Sequence, residues 1–419
     1  MDKVKIGVLG AYRGMSMIGF CTQYEAVELV AICDKYEPAL NKCKNDISYY
    51  KKNEVAFYDS FDEFIKHDMD AVVLANYANE HAPFAIKCLK AGKHVISEVL
   101  PVQTLKEAVE LVEAVEETGK IYAYAENYCY MPAPTEMRKL FKEGKLGEFQ
   151  YGEGEYVHDC HEIWPDITYG DENHWRNNAY STFYCTHSLG PMIHIAGLRP
   201  VKVSGFELPI PERMLDVGCK GGLGSGGIEI VTLENGAVIK SFHACGLIRE
   251  PSSIWYSMYA KKGCIESDRW GQTVERVNLY NEGDLSQTSY QPKPVETSSL
   301  AKEMTGHGGG DFYTMYYFVR KILGYEDGIE NSIDVYEALD MCLPGLLAYK
   351  SILSGNSSID IPDLRNKDQR DLYRNDTFCT DKKVAGDMYV YPHSSGEIKH
   401  PKEVYEKVYE SYKKRKLGE

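Results

Sequence analysis

No stretch of the sequence approaches the about 20 consecutive apolar residues of a membrane-spanning helix. Positive charge is also scarce. Lys and Arg number 47 against 62 Asp and Glu, a formal net charge of −15. A nucleic-acid backbone needs a basic face, so it is not an expected partner. The acidic balance speaks to solubility and says little about chemistry. None of the 12 cysteines forms a Cys-x-x-Cys pair. Cys33, Cys88, Cys129, Cys245 and Cys342 stand singly in strand-like or helix-like segments, as small buried apolar groups do, and not as a disulfide framework. Free thiols predict a reducing, cytoplasmic compartment. The opening Met1-Asp2-Lys3-Val4-Lys5-Ile6 enters a strand pattern at once, which leaves no room for a signal peptide. No internal repeat is evident. The glycine-rich stretch Gly218 to Gly227 lacks the Lys-Ser/Thr pair of a P-loop and reads as a flexible loop or lid.

The chain has 419 residues, enough for two or three domains at about 100–200 residues each. Hydrophobic residues make up 43% and charged residues 26%, an ordinary globular balance. Val4 to Gly10 reads as a short buried strand running into a turn, with Gly7, Gly10 and Gly14 in a G-x-x-G-x-x-x-G arrangement. A helical segment starts near Ser16. A second apolar run, Glu28 to Cys33, ends in Asp34, close to the spacing of about 20 residues in a dinucleotide fingerprint. Each part has a physical use. Glycine lets the backbone approach a pyrophosphate, and the helix start offers free N–H groups. A carboxylate at the second strand's end accepts ribose hydroxyls and repels a 2′-phosphate, so NAD is expected over NADP. Arg13 covers the pyrophosphate or softens that discrimination. The bland alternative is a glycine turn without a ligand.

The pattern repeats. Met69 to Ala75 is an apolar strand ending in Asn76, followed by a helix bearing His81, Ala85 and Leu89. Lys93 to Glu98 is another strand. Glu107 to Thr118 reads as an amphipathic helix ending at Gly119. Ile121 to Ala125 runs into Glu126-Asn127. Strands alternating with helices predict an α/β fold with a doubly wound parallel sheet. Ligands on such a sheet lie beyond the strand C-ends, where Asn76, Glu98, Glu126 and Asn127 fall.

Ala91-Gly92-Lys93-His94-Val95-Ile96-Ser97-Glu98, after the helix with His81, resembles the glucose–fructose oxidoreductase/inositol dehydrogenase (Gfo/Idh/MocA) family over about residues 3–362. The resemblance implies a Rossmann domain at 1–127 and an α/β substrate domain at 128–362. The second domain's large, open, mostly antiparallel sheet would form the contact of a homo-oligomer. A polar extension, 363–419, would wrap the surface or meet another subunit. The family's E-K-P carries a proton-moving lysine. Here Glu98-Val99-Leu100-Pro101 lacks it.

Within the family the chain is similar to the NAD-dependent glycosidase branch typified by bacterial α-N-acetylgalactosaminidases. The matching pieces include Glu126 to Tyr130, Glu155 to Asp159, His174-Trp175-Arg176, Tyr184 to Pro191 and Gly306 to Phe312. By resemblance, Tyr156, His158, Tyr184 and His187 line the reacting sugar. Tyr156 and His187 are assigned to proton transfer, His158 and Tyr184 to positioning, and Trp175 and Arg176 to substrate binding. The resemblance implies glycoside cleavage by transient oxidation at C3, deprotonation at C2, elimination at C1, water addition and re-reduction. A sugar 3-dehydrogenase that releases its keto product is the first alternative. A non-enzymatic NAD or sugar sensor is the second.

Gly152 to His158 alternates as a strand, which sets Glu153, Glu155 and Val157 against Tyr156 and His158. His158, Asp159 and His161 have metal-ligand chemistry without the spacing of well-defined metal sites, so no metal is expected. His187 starts an apolar helix, and His194 reads as helix packing. The dehydrogenases' Asp and His in this helix correspond to Ser188 and Met192. Gly306 to Asp311 opens a further helix. Asp311 reads as its cap, and His307 as a contact to the substrate. Asn235-Gly236 marks a hairpin turn.

Overall fold

The structure is a computed structural model that describes residues 3–47, 54–270, 274–283, 286–293 and 299–417. Met1 and Asp2, at the head of the expected first strand, lie outside these. The chain divides into two compact units. The first is Met1–Met131 with Lys293–Leu339, and the second is Pro132–Pro292 with Asp340–Glu419. Among the described residues no helix is long and apolar enough to cross a membrane.

The first unit holds six parallel strands: β1 (Val4–Leu9), β2 (Val27–Cys33), β3 (Ala56–Tyr58), β4 (Ala71–Leu74), β5 (His94–Ser97) and β6 (Tyr122–Tyr124). Their order is β3-β2-β1-β4-β5-β6. β1, β2 and β4 are nearly continuous apolar runs, as strands covered on both faces require. The chain order reverses between β1 and β4, so their loops open into the crevice where such sheets bind ligands.

Residues 293–339 were expected in the second domain. They pack with the first unit through the helix Gly310–Ile322. Phe312 stands edge-on to Phe20 at 5.5 Å, and Tyr316 to Tyr24 at 5.8 Å. Aromatic pairs of this kind add about 0.5–1.5 kcal/mol to the burial of their area.

The second unit is built on nine strands: β7 (Phe149–Val157), β8 (Pro200–Glu207), β9 (Gly227–Leu233), β10 (Val238–Ala244), β11 (Ser253–Ala260), β12 (Gly263–Ser267), β13 (Val277–Asn281), β14 (Ser286–Tyr290) and β15 (Ile359–Asp360). The order is β14-β13-β12-β11-β7-β10-β9-β8-β15. All neighbours are antiparallel except β7 and β10. The β9–β10 hairpin turns at Asn235-Gly236, where Gly236 has φ 85°.

One face of this sheet carries the buried helix Thr186–Ala196. A side chain at Gly154 would collide with the Ser188 carbonyl, so the missing Cβ sets how closely the helix lies on β7. The stretch Gly218 to Gly227 is no lid. Residues 221–227 are buried, and side chains at Gly221 and Gly227 would run into the carbonyls of Ala179 and Ser181. Glycine here serves close packing. Residues beyond 363 wrap this unit. The fully buried Arg370 donates to the Leu364 carbonyl at 2.6 Å, and the Tyr405 hydroxyl to the Gly218 carbonyl at 3.1 Å.

Candidate functional site

In the first unit the glycine turn follows β1. Gly10 has φ 105°, and any Cβ there would collide with the Ala75 carbonyl, so only glycine fits. Gly14 caps the helix Met15–Gln23, and a Cβ there would strike the Gly10 carbonyl. Gly7 differs from expectation. A Cβ on it would meet Met69 and Phe64, so this glycine serves sheet–helix packing and not close approach to a cofactor. Asp34 stands at the end of β2. Its Oδ2 accepts the Ala11 N–H at 2.7 Å and its Oδ1 the Tyr36 N–H at 2.8 Å. One carboxylate thus ties the glycine turn to the second strand.

Beyond β4, both side-chain amide atoms of Asn76 are buried without a hydrogen-bond partner among the described residues, and so is Ser16 Oγ at the helix start. A buried polar group left so costs about 1–3 kcal/mol. A dinucleotide's phosphates and hydroxyls would satisfy such atoms, and the glycine turn leaves backbone room for them. The residues present therefore fit NAD.

Arg13 pairs with the buried Glu98 at 2.7 Å. His307, at φ 49°, donates through Nδ1 to Asp311 Oδ2 at 3.0 Å, and Asn127 Nδ2 donates to Asp311 Oδ1 at 2.7 Å. Asp311 is therefore not the helix cap that its sequence position suggested. Gly309 holds that place without a side-chain bond. The hydrogen bond to Asp311 raises the His307 pKa. Burial alone would push Asp311 up, but its bonds to His307 and Asn127 hold it below the usual carboxylate range.

Two residues expected at the cofactor take other places. His81 is buried with Nδ1 2.7 Å from the Leu100 carbonyl and Nε2 3.2 Å from the Asn76 carbonyl. Burial pushes its pKa down to about 4, so the ring is neutral, and its single N–H can donate to only one of these carbonyls. Glu126 is fully buried, and its Oε1 accepts the Tyr128 N–H at 3.4 Å, which caps the short turn Asn127–Tyr130.

In the second unit, Tyr156 and His158 leave the end of β7 on one side, and the Tyr156 hydroxyl lies 3.1 Å from His158 Nδ1. The helix Thr186–Ala196 brings His187 against them. The ring centroids of Tyr156 and His187 are 4.9 Å apart, and those of Tyr184 and His187 5.1 Å. The Tyr256 hydroxyl donates to the His187 carbonyl at 2.6 Å and fixes this turn. Arg176 lies over both Trp175 and Tyr184, 4.5 and 5.0 Å from their ring centroids. His174 accepts the Arg176 N–H at 3.3 Å, and burial, then the Arg176 charge, depresses its pKa to about 3.

Asp159 pairs with Arg213 at 2.7 Å and accepts the His161 N–H at 3.1 Å. Among the described residues no group of three or more His, Cys, Asp or Glu could hold a metal ion.

Sequence reasoning missed a buried pair behind this helix. Glu229 on β9 and His243 on β10 are both fully buried, with Oε1 and Nδ1 3.6 Å apart. Burial pushes Glu229 up to about 8 and His243 down to about 4. The alternation of Gly227 to Leu233, which turns Ile228 and Ile230 outward, carried the signal for an inward glutamate.

Comparison with known proteins matches two separate stretches of the chain. Residues 4–126 match the oxidoreductase family with an NAD-binding Rossmann fold, the Gfo/Idh/MocA family. Residues 234–369 match the C-terminal domain of glycosyl hydrolase 109. The first stretch is thus similar to the NAD-binding Rossmann domain of the Gfo/Idh/MocA family, and the second to the C-terminal domain of glycosyl hydrolase 109.

A glycosyl hydrolase family 109 protein of Phocaeicola vulgatus is 25% identical over 409 residues, covering 87% of this chain and 84% of that one. Another from Solibacter usitatus is 26% identical over 410 residues, covering 86% and 88%. Among solved structures, the WlbA dehydrogenase of Bordetella pertussis in complex with NADH and UDP-GlcNAcA covers 86% of this chain and 98% of its own, with a TM-score of 0.68 and 18% identity. That likeness concerns the fold alone.

Proposed function

We propose that the protein is an NAD-dependent glycosidase that cleaves its substrate through transient oxidation at C3, proton removal at C2, elimination at C1, addition of water and re-reduction. The observation that carries this reading is the cluster of Tyr156, His158, Tyr184 and His187, in which proton-exchanging rings lie within hydrogen-bond or ring-contact distance. Tyrosine and histidine pass protons at such distances. Direct displacement at C1 uses two carboxylates that flank the glycosidic bond. Among the described residues the carboxylates nearest this cluster are engaged elsewhere: Asp159 is held by Arg213, and Glu155 is paired with Arg269 at 2.6 Å.

Asp34, Gly10, Gly14, Arg13, Asn76, Glu98 and Asn127 would hold NAD, with His307 beside them. Bound NAD would supply removal and return of a hydride at C3. Tyr156 and His187 would move the protons, while His158 orients the Tyr156 hydroxyl and Tyr184 positions the sugar. The names of the family 109 relatives support hydrolysis over simple oxidation. So does Val99-Leu100, where dehydrogenases of the family carry a lysine.

Aryl glycosides assayed with catalytic NAD separate these readings. Release of the aryl group without net NADH supports the glycosidase. NADH formed in step with substrate consumption, the glycosidic bond intact, would establish a 3-dehydrogenase. Binding without turnover of either kind would establish a sensor.

We also propose that the protein forms a homo-oligomer through the outer face of its nine-stranded sheet. Phe206 and Tyr259 are 42% and 48% exposed there, and Ile228, Ile230, Phe242 and Trp255 are half-buried. Light scattering should give at least a dimer, and Phe206→Glu should weaken it.

A further inference from the structure

Six rings run in one row through the second unit, from the helix Lys402–Tyr412 to His187. Tyr412 meets Tyr169 at 5.8 Å between centroids, Tyr169 meets His174 at 5.3 Å, and His174 lies against Trp175 at 6.1 Å. Trp175 meets Tyr184 at 6.2 Å, and Tyr184 meets His187 at 5.1 Å. The middle of this row belongs to a stretch with little regular structure of its own. Between residues 159 and 178 it forms only the short helices Trp164–Thr168 and Trp175–Asn178. Helices of about one turn are not stable alone. Tyr169 has φ 42° and Gly170 φ 69°. An aromatic residue in the left-handed region is strained and persists only where its surroundings fix it.

The helix Lys402–Tyr412 fixes it. Tyr405, Val408 and Tyr412 recur at helical spacing, with Tyr405 and Val408 buried and Tyr412 half-buried. A Cβ at Gly170 would collide with the Tyr405 carbonyl and the Tyr409 backbone nitrogen, so the stretch lies directly on the helix backbone. A Cβ at Gly218 would strike the Tyr405 ring, whose hydroxyl donates to the Gly218 carbonyl at 3.1 Å. Past the helix, Arg415 donates to the Glu162 carbonyl, and Lys416 lies 3.6 Å from Asp166. Ion pairs this exposed add little, so the ring contacts and the close packing at Gly170 carry the attachment.

We propose that Tyr412 and Tyr169 are positioning residues. The helix Lys402–Tyr412 holds residues 159–178 in the conformation that packs Trp175 on Tyr184, and Tyr184 is thereby kept beside His187. Both residues act through Tyr184. The inference rests on the glycosidase reading above, in which Tyr184 positions the sugar, and it gives the stretch beyond residue 363 a task in the reaction.

The test uses the full chain with NAD and an aryl glycoside that the parent cleaves. Tyr412→Ala should lower kcat/KM about ten- to a hundredfold, mostly through KM, the scale of a displaced positioning group. Tyr412→Phe keeps the ring and should recover most of the loss. Lys407→Ala, at an exposed position of the same helix, should match the parent. NAD affinity and stoichiometry should stay unchanged in all three, which a general loss of folded protein would not allow. Hydrogen exchange reads the contact without turnover. Amides of 166–178 should exchange about two- to tenfold faster in Tyr412→Ala, the scale of one lost aromatic contact. In the unmodified protein the amides of 166–178 and of 402–412 should open together, with one denaturant dependence, and this arm needs no variant to fold. Parent kcat/KM in Tyr412→Ala, an equal loss in Tyr412→Phe, or a stretch 166–178 that opens without the helix would overturn the inference while leaving glycoside cleavage intact. If the parent cleaves no glycoside, the glycosidase reading fails by itself. Joint opening of the two segments would then still support the bracing of Tyr184, and separate opening would overturn it.

Discussion

Asp34 Oδ2 accepts the Ala11 backbone N–H at 2.7 Å, so the residue expected to read the adenosine ribose also anchors the glycine turn. Two effects should then separate in its variants. Asp34→Ala should weaken NAD binding about tenfold or more, the scale of one lost charged hydrogen bond, and should raise the NADP-to-NAD affinity ratio. Asp34→Asn keeps an acceptor for Ala11 and loses the charge, so it should shift the ratio with less loss of NAD affinity. Titration of both variants with both nucleotides decides this. A ratio equal to that of the parent would remove Asp34 as the discriminator.

Tyr156 and His187 should matter to turnover and not to the nucleotide. Tyr156→Phe and His187→Ala are expected to lose at least about 10²-fold in kcat, the low end for a general acid or base. Their NAD affinity should stay within a factor of two of the parent. Near-normal rates would return both residues to a packing role, for which the ring contacts at 4.9 and 5.1 Å would suffice.

Glu229 sets a pH dependence of stability. Its carboxyl has an ordinary pKa of 4.5 and is pushed up to about 8 by burial. Folding therefore takes up a proton between these values. Stability from this group is highest below about pH 4.5 and falls as pH rises toward 8. Glu229→Gln keeps the shape and removes the titration. The variant should exceed the parent by on the order of 3 kcal/mol at pH 7, with the gap closing toward pH 4.5. Urea unfolding of both proteins across that range is the check. A gap constant with pH would show that Glu229 is not held protonated.

The nucleotide half was largely legible in the sequence, because each feature there is local. Strand, glycine turn, helix and acidic strand end follow one another within 34 residues, and Gly10 and Asp34 lie where that order puts them. Tyr156 and His158 were legible for the same reason, since strand alternation alone places them together. What failed was the part that only tertiary contacts decide. Nothing local shows that residues 293–339 return to the first unit, because that depends on Phe312 meeting Phe20 and Asp311 meeting Asn127. Glycine content at 218–227 is shared by flexible loops and by close backbone contacts, and the second applies. His81 has the composition of a ligand contact, but both its ring nitrogens face backbone carbonyls.

The elimination route is tested most directly by the isotope content of its product. Elimination must break the C2–H bond, whereas displacement at C1 never touches C2. The reaction is run in D₂O with catalytic NAD, and the released sugar is examined by NMR. The account predicts deuterium at C2 of the released sugar and no net NADH. A released sugar that keeps its full protium at C2 would contradict it.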